Sequence, residues 1–248
     1  MTAKWYEVAF DRLYPVLYEH RDAAEAEGVV SGFGQRLTGR GAVLDLACGN
    51  GRYMDVLGRA GVEMVGVDLS AFLLREAWRE PGLRGRLVQG DMRRVPIASG
   101  TLGGVINMFT SFGYFEDDAD NRAVLEEVAR VLRPGGVFLF DYINRGTVTG
   151  GRPMEASTRE AGGYRLEEHR SLVDDGRFVV KHVVAESLSD GSRVEYDERL
   201  RLYRRSELEE MLTGSGMNVT EVYGNYERAP FDEGSSPRLI MVCEKGTE

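Results

Sequence analysis

Three acidic residues in the first half of the chain lie at or near the ends of short apolar runs: Asp45, Asp68 and Asp91. Carboxylates accept hydrogen bonds from hydroxyl and amino groups and pair with cations. Short apolar runs of this kind are typical of buried parallel strands, whose carboxyl ends meet at one edge of a sheet. We therefore expect the three carboxylates to converge on one crevice and to bind a polar ligand there.

A turn of small residues follows the first acid and reads Ala47-Cys48-Gly49-Asn50-Gly51. Small residues let the backbone turn tightly and approach a ligand closely. The third glycine of a dinucleotide-binding turn is absent, because Met54 occupies its position, and no phosphate-binding loop with a lysine is present. The turn therefore favours a ligand without a pyrophosphate over a nicotinamide cofactor.

Alternating strands and helices must position these residues. Apolar runs predict parallel strands at 43–46, 63–68, 87–91, 103–109 and 137–141, and closing strands at 217–223 and 239–244. Helical patterns predict helices at 52–60, 73–79 (with Ser70 as N-cap) and 121–132, the last ended by residues 133–136. This order predicts an α/β fold with a doubly wound, seven-stranded, mostly parallel sheet.

The chain changes character at about residue 146. The polar, glycine-rich stretch 145–163 predicts a loop, and the alternating segments 164–173, 177–188 and 193–203 predict three antiparallel strands. Ser206 and Glu209 form a capping-box pattern that predicts a helix over 207–212. We expect a core made of 1–145 and 204–248, with a helical lid over 1–40, and a small antiparallel β-subdomain inserted at 146–203.

Four segments in order carry a family resemblance: VLDLACGNGRY, VGVDLS, QGDMRRVP and LRPGGVFLF. Together they resemble the successive motifs of class I S-adenosylmethionine-dependent methyltransferases. The extra sheet is similar to that of methyltransferases acting on glycine and on amino sugars. The resemblance implies a Rossmann-like fold, S-adenosylmethionine as cofactor and a small-molecule methyl acceptor.

The resemblance also implies which residues meet the cofactor. In the family the first acid and the turn bind the methionine part, the second acid the ribose, and the third the adenine. The cofactor-binding residues expected here are Tyr14, Asp45, Ala47, Cys48, Gly49, Gly51, Asp68, Leu69, Asp91, Met92, Asn107 and Met108. Many members have glycine where this chain has Ala47, and alanine is small enough for the turn.

An aromatic stripe opens the chain at helical spacing: Trp5, Tyr6, Phe10, Tyr14 and Tyr18. Pro15 should break or restart the helix there. The stripe either packs a leading helix onto the domain or forms a lid with a tyrosine facing the positive sulfur, since aromatic rings attract cations. Tyr14 is the preferred tyrosine for that contact and Tyr6 the second.

Further candidates come from loops that follow strands, where pockets are lined. The residues expected to contact the acceptor are Tyr6, Ser111, Tyr114, Tyr142 and Asn144. Tyr14, Tyr114 and His169 are the candidates for a catalytic role. The histidines at 20, 169 and 182 have no metal-ligand spacing, so no metal site is expected.

Composition narrows the class of protein. A net charge of −9 argues against a nucleic-acid substrate, because phosphate binding depends on clustered Lys and Arg. The two cysteines, Cys48 and Cys243, lie on expected core elements and indicate a reducing compartment. No run of membrane-spanning length and no signal peptide is evident, so a cytoplasmic location is expected. The oligomeric state, including a homodimer, stays open.

The expected mechanism is direct displacement at the sulfonium methyl, with the protein holding the nucleophile in line. A neutral amine needs only to lose its proton, whereas a hydroxyl or carbon nucleophile needs a positioned base, and no such base is evident. This favours N-methylation of a small molecule. The alternatives are O- or C-methylation and a cofactor-binding homologue that is inactive or regulatory.

Overall fold

The computed structural model describes residues 4–18, 23–150 and 156–247. In these ranges the strands in chain order are β1 (Val43–Leu46), β2 (Met64–Asp68), β3 (Leu87–Gln89), β4 (Leu102–Asn107), β5 (Leu132–Ile143), β6 (Ser157–Ala161), β7 (Tyr164–Val173), β8 (Phe178–Ser187), β9 (Arg193–Arg201), β10 (Met217–Tyr223) and β11 (Arg238–Lys245). The α-helices are α1 (Trp5–Ala9), α2 (Tyr14–Leu17), α3 (Ala23–Leu37), α4 (Arg52–Arg59), α5 (Ala71–Ala77), α6 (Asp118–Val131), α7 (Arg145–Thr149) and α8 (Arg205–Gly214).

The larger sheet has seven strands in the order β10-β11-β5-β4-β1-β2-β3. Strands β1 to β5 pair in parallel, and β11 runs antiparallel to both β5 and β10. The smaller sheet, β6-β7-β8-β9, is antiparallel and is inserted between β5 and α8. The predicted fold class, a doubly wound, mostly parallel sheet with an inserted antiparallel sheet, is confirmed.

The order of the strands reverses between β1 and β4, which lie side by side at the centre of the larger sheet. Both strands are buried along their whole length, as expected of parallel strands covered by helices on both faces. Leu44 packs into a core with residues of α6 and α8, while Val43 packs into a second core with residues of α3 and α4. In open α/β sheets this reversal opens a crevice at the carboxyl ends of the strands.

Local predictions needed correction in three places. Residues 133–136 belong to β5, where a register irregularity opposite Leu102 and Gly104 absorbs them. The stretch predicted as a loop contains α7 and β6, so the smaller sheet has four strands; β6 is polar and forms by pairing with β7. Helix α8 begins before Ser206, because the Glu207 carboxylate accepts the backbone N–H of Arg204 at 2.7 Å.

The N-terminal segment forms two short helices, with Pro15 in the first turn of α2, so the proline restarts the helix. Ala9 and Leu17 pack with Leu166, Val183 and Tyr196 of the smaller sheet in a third apolar cluster. This segment therefore joins the two sheets. No helix in the described ranges is both long and apolar enough to cross a membrane.

Candidate functional site

A cleft opens at the carboxyl ends of β1, β2, β3 and β4, and we call it the strand-end cleft. Its outer part, on the side of the edge strand β3, is lined by Tyr6, Phe10, Tyr14, Ala47, Gly49, Val67, Asp68, Leu69, Leu73, Gly90, Asp91, Met92, Ser111, Tyr114 and Phe115. Its inner part, on the side of the central strands β1 and β4, is lined by residues that include Asp45, Cys48, Asn50, Arg52, Tyr53, Met108 and Phe109. The structure thus brings the three predicted acids to one cleft.

The small-residue turn after β1 adopts left-handed backbone conformations, with φ of 64° at Ala47, 56° at Gly49 and 81° at Gly51. A side chain at Gly51 would collide with Leu83, and Gly51 begins α4 without lining the cleft. Gly51 therefore has a structural role in the turn, and its contact with the ligand stays a prediction. Burial raises the pKa of the Cys48 thiol, so this cleft residue is a neutral packing group.

Asp45 is 1% exposed, and its Oδ2 atom has no hydrogen-bond partner among the described residues. Burial, reinforced by the nearby charge of Asp68, raises the pKa of Asp45 to about 8 even though Arg52 lowers it. A buried carboxylate oxygen without a partner is costly unless a ligand supplies one. Asp45 is thus suited to a cationic or hydrogen-bond-donating group.

Asp68 ends β2 and is nearly buried. Its Oδ2 accepts the backbone N–H of Gly49 at 2.8 Å, and its Oδ1 accepts that of Ser70 at 2.7 Å. Burial raises the pKa of Asp68, and these backbone donors act against the rise. A carboxylate oxygen can accept more than one hydrogen bond, so both oxygens of Asp68 can still accept from donors in the cleft.

Asp91 follows β3 and pairs with Arg93, whose Nη2 lies 2.6 Å from Oδ2. Partial burial by itself raises the pKa of Asp91, but hydrogen bonds and charge from Arg93 outweigh it and lower the pKa. Arg93 also bonds Asp120 at 2.8 Å and lies over the ring of Phe115. Asp91 is therefore a fixed carboxylate at the outer end of the cleft.

A second cavity, which we call the outer cavity, lies between α1, α2, the segment after β4 and the smaller sheet. Its volume is about 410 Å³. It is lined by Trp5, Phe10, Tyr14, Tyr18, Phe109, Thr110, Tyr114, Ile143, Thr147, Val148, Arg170, Val179, Lys181, Glu198, Arg199, Leu200 and Arg238. Phe10, Tyr14 and Tyr114 line both this cavity and the strand-end cleft, so the two spaces adjoin.

The aromatic stripe packs as a group and also lines the two spaces, and the contact of its tyrosines with the positive sulfur stays a prediction. Trp5 and Phe10 pack on Tyr114 with ring centroids 5.1 and 5.5 Å apart, and Phe10 packs on Tyr14 at 5.1 Å. The same rings line the cleft or the cavity. Tyr6 and Ser111 line the strand-end cleft but not the outer cavity.

Four predicted site residues besides Gly51 lie elsewhere. Tyr142 is fully buried and its hydroxyl donates to the carbonyl of Arg201, and Asn144 is buried with its Nδ2 donating to the Ser236 carbonyl at 2.8 Å. Asn107 also lines neither space. Its Nδ2 donates to the Leu46 carbonyl at 2.9 Å and joins β4 to β1, and its Oδ1 has no partner among the described residues.

His169 is the fourth. It is exposed and pairs across the ladder with His182, while the adjacent Arg170 lines the outer cavity. Successive strand residues face opposite sides, so His169 faces away from the cavity and is not placed to act as a base there. Of the other two histidines, His182 bonds Asp197 at 2.7 Å and His20 lies outside the described residues.

Sequence reasoning missed the charged floor of the outer cavity. Lys181, which is 6% exposed, has its Nζ 3.1 Å from Glu168 and 3.0 Å from Glu198. The Tyr18 hydroxyl donates to Glu198 at 2.9 Å. The consecutive strands β7, β8 and β9 place Glu168, Lys181 and Glu198 side by side, and Tyr18 reaches them from the distant N-terminal segment. Of these residues, only Tyr18 gave a signal in the sequence, through its aromatic spacing.

Comparisons with known proteins agree with this geometry. A family model described as a methyltransferase domain matches residues 43–136. The Bacillus subtilis (strain 168) protein YqeM, named as a methyltransferase, is 34% identical over 215 residues, covering 83% of this chain and 85% of that protein. The dTDP-3-amino-3,4,6-trideoxy-alpha-D-glucopyranose N,N-dimethyltransferase of Streptomyces venezuelae is 27% identical over 238 residues, covering 88% of this chain and 94% of that one.

A solved structure extends the likeness to the whole chain. The CcbJ methyltransferase from Streptomyces caelestis superposes with a TM-score of 0.80 at 20% identity, covering 99% of this chain and 100% of that chain. The sheet order and the acid-lined cleft define an α/β protein of the Rossmann-like type. The chain belongs to the class I S-adenosylmethionine-dependent methyltransferases, and it is an enzyme with S-adenosylmethionine as its cofactor.

The strand-end cleft fits that cofactor. The unpartnered Oδ2 of Asp45 suits an amino group, and the turn at Gly49 leaves room for a close approach, since a Cβ there would only touch Leu73 at 3.9 Å. The carboxylate of Asp68 lies where hydroxyl donors would reach it. Bound S-adenosylmethionine supplies a methyl group on a positively charged sulfur, which a nucleophile can attack directly.

Proposed function

We propose that the enzyme methylates an amine nitrogen of a small molecule that binds in the outer cavity. The observation that carries this proposal is the adjoining of the outer cavity and the strand-end cleft through Phe10, Tyr14 and Tyr114. The amino-sugar N,N-dimethyltransferase relative supports an amine acceptor. The net charge of −9 supports a small molecule over a nucleic acid.

On the cofactor side, we assign Asp45 to the amino group of the methionine part and Asp68 to the ribose hydroxyls. Asp91, with Leu69 and Met92, borders the adenine. These assignments are the ones that the family resemblance implies, and the order of the three acids along the cleft, from Asp45 in the inner part to Asp91 in the outer part, supports them. Charged hydrogen bonds of this kind contribute about 1.5–3 kcal/mol each.

At the junction of the two spaces, Tyr14 and Tyr114 exclude water and hold the acceptor. Their rings belong to the packed aromatic group around Phe10, which limits their motion. Aromatic faces also attract a cation by about 0.5–2 kcal/mol, depending on how completely water is removed. The rings therefore favour a cationic amine, and orient its nitrogen towards the cofactor once it is neutral.

Among the described residues that line the outer cavity, the acidic one is Glu198. Most amines carry a proton at neutral pH and must lose it before the nitrogen lone pair can attack. Glu198 already accepts from Lys181 and Tyr18, and its remaining lone pairs can accept from the ammonium form. Of the other charges on this face, Arg199 pairs with Asp174 at 2.8 Å and Arg238 with Asp141 at 2.8 Å.

The proposal is tested with a matched pair of sugar nucleotides. We expect methyl-labelled S-adenosylmethionine to label dTDP-3-amino-3,4,6-trideoxy-glucose or another amine in a panel of amino sugars and amino acids, because a neutral amine needs no strong base. The control is each compound with a hydroxyl in place of its amino group, which should stay unlabelled. Label in the hydroxyl compounds, or in no amine although the cofactor binds, would contradict N-methylation.

Glu198→Gln should raise the KM for the amine acceptor about tenfold or more, equivalent to about 1.4 kcal/mol, and leave cofactor affinity unchanged. The reason is that the glutamine cannot pair with an ammonium group. The increase in KM should be largest below the pKa of the acceptor amine, where the ammonium form predominates. Steady-state kinetics across pH and calorimetry with the demethylated cofactor measure the two effects.

Glu168→Gln is the matched control, because Glu168 pairs with the same lysine but does not line the outer cavity. It removes the same formal charge from the cluster at a greater distance from the acceptor. Equal losses in the two variants would point to a general effect of charge and would remove Glu198 from the acceptor site.

A further inference from the structure

Two consecutive residues after β4 adopt a backbone conformation that favours glycine. Phe109 has a φ of 57° and Thr110 a φ of 63°. For a β-branched residue such as threonine, a left-handed conformation is especially unfavourable. Strain of this kind persists only where surrounding contacts hold it, and it concentrates at functional sites.

Asp141, which is fully buried at the carboxyl end of β5, supplies those contacts. Its Oδ2 accepts the backbone N–H of Phe109 at 2.8 Å, and its own carbonyl accepts the N–H of Thr110 at 3.0 Å. The carboxylate thus satisfies the backbone N–H of Phe109, which lies beyond the end of β4. Both strained residues are bonded to a single residue of the neighbouring strand.

Arg238 of β11 completes the arrangement. Its Nε donates to Asp141 Oδ1 at 2.8 Å, and its Nη2 donates to the Thr110 hydroxyl at 2.8 Å. The guanidinium also lies 5.2 Å from the ring centroid of Phe109. Burial opposes the charged form of Arg238, but the Asp141 carboxylate outweighs it and raises the pKa, so the ion pair is retained.

The strained pair lies at the junction of the two spaces. Phe109 lines both the inner part of the strand-end cleft and the outer cavity, and Thr110 lines the outer cavity. Ser111 and Tyr114, which follow in the same segment, line the cleft. A change in the backbone at 109–110 would therefore move the wall between cofactor and acceptor.

We propose that Asp141 and Arg238 are positioning residues for methyl transfer, which hold Phe109 and Thr110 in the strained conformation that shapes this wall. The proposal rests on the outer cavity being the acceptor site and holds whether the acceptor is an amine or another nucleophile. Asp141 touches neither space and acts through the segment that it binds. Misplacement of reacting groups by about 1 Å costs up to about a hundredfold in rate.

The first test is Asp141→Asn, which keeps the shape of the side chain but removes the charge that Arg238 pairs with. We expect kcat to fall about tenfold to a hundredfold, with the dissociation constant of the demethylated cofactor within about twofold of its original value. Amide hydrogen exchange of the peptide spanning 107–112 should accelerate at least about tenfold, because asparagine keeps a single acceptor oxygen and cannot accept from both the Phe109 N–H and Arg238. The exchange measurement needs no acceptor, so it decides the proposal even if the amine assignment fails.

Three further variants keep the test decisive if Asp141→Asn destabilises the fold. Arg238→Lys keeps the charge next to Asp141 but lacks the two separate nitrogens that bond Asp141 and Thr110, and it should accelerate exchange at 107–112 alone. Thr110→Gly added to Asp141→Asn should slow that exchange and recover part of kcat, because glycine adopts a positive φ without strain. Tyr226→Phe, which removes a different donor to Asp141 Oδ2, is the control and should change exchange at 107–112 by less than either.

Unchanged exchange at 107–112 in both Asp141→Asn and Arg238→Lys would overturn the proposal. So would exchange that rises equally across the whole chain, since that indicates general destabilisation. A Thr110→Gly double variant no better than Asp141→Asn would overturn the role of strain.

Discussion

Replacing Asp45 with asparagine is expected to raise the melting temperature of the cofactor-free protein at pH 8 and to abolish its stabilisation by S-adenosylmethionine. Burial and Asp68 raise the folded-state pKa of Asp45 from its ordinary value of 3.8 to about 8. At pH 8 the cofactor-free protein must therefore bear part of the cost of a buried carboxylate whose Oδ2 has no partner. Asparagine removes that cost, and it also removes the charge that attracts the amino group of the cofactor.

The pH dependence follows from the direction of the shift. Between the unfolded and folded pKa values, the folded protein keeps a proton that the unfolded chain has released, so the stabilising contribution of protonated Asp45 is complete below pH 4 and is lost as the pH rises towards 8. Each pKa unit corresponds to about 1.4 kcal/mol, so the variant should melt roughly 5 °C or more above the original protein at pH 8. This difference should disappear near pH 4.

Calorimetry from pH 4 to pH 8, with and without cofactor, measures both effects. Asp55→Asn is the control, because it removes a carboxylate from α4 that pairs with Arg59 near the surface. A variant that is less stable than the original protein at every pH would show that the buried carboxylate of Asp45 does not destabilise the cofactor-free protein. A variant that binds the cofactor normally would show that Asp45 does not bind its amino group.

Asp68→Ala is expected to lower cofactor affinity more than about a hundredfold. The carboxylate is the acceptor at the end of β2, and loss of two charged hydrogen bonds to hydroxyls at about 1.5–3 kcal/mol each accounts for that factor. At about a hundred times the original dissociation constant, the cofactor stabilises the original protein by about 2.7 kcal/mol and shifts its melting temperature by several degrees. The variant should show almost no shift at the same concentration.

Asp68 also accepts backbone N–H groups from Gly49 and Ser70, so the variant disturbs the turn as well. Asp68→Asn separates these effects, because it keeps one acceptor oxygen and should lose less affinity than the alanine variant. NAD should shift the melting temperature of neither variant nor of the original protein. Normal cofactor binding by Asp68→Ala would exclude this carboxylate as the ribose ligand.

The two halves of the site differ in how far sequence could predict them. The acids at 45, 68 and 91 and the turn at 47–51 are local patterns, each within one strand or at its end. Parallel strands bring such ends to the same edge of a sheet, so the strand-end cleft follows from them. The structure places Tyr142, Asn144 and Asn107 outside both spaces. They are also near strand ends, where a polar side chain can bond backbone groups as readily as a ligand.

The outer cavity depends on contacts between distant segments. Glu198, Lys181 and Tyr18 lie on β9, β8 and the N-terminal segment, and none belongs to a motif. The same holds for Asp141, Arg238 and Thr110, which come from three separate parts of the chain. Sequence spacing does not show how the inserted sheet packs against the N-terminal segment, or which side chains of the two meet, because this depends on strand register and on how whole elements pack.

From the sequence alone came the doubly wound sheet, the inserted antiparallel strands and the acids near the strand ends, because hydrophobic periodicity and turn chemistry act over a few neighbouring residues. The cofactor came from the resemblance of four motifs to a known family. Tertiary structure alone decided which polar residues line the cleft and which are used internally, where the outer cavity lies, and that Phe109 and Thr110 are held against their backbone preference. The physical reason is that burial, charge pairing and strain are properties of side chains brought together by packing, and packing joins residues that the chain keeps far apart.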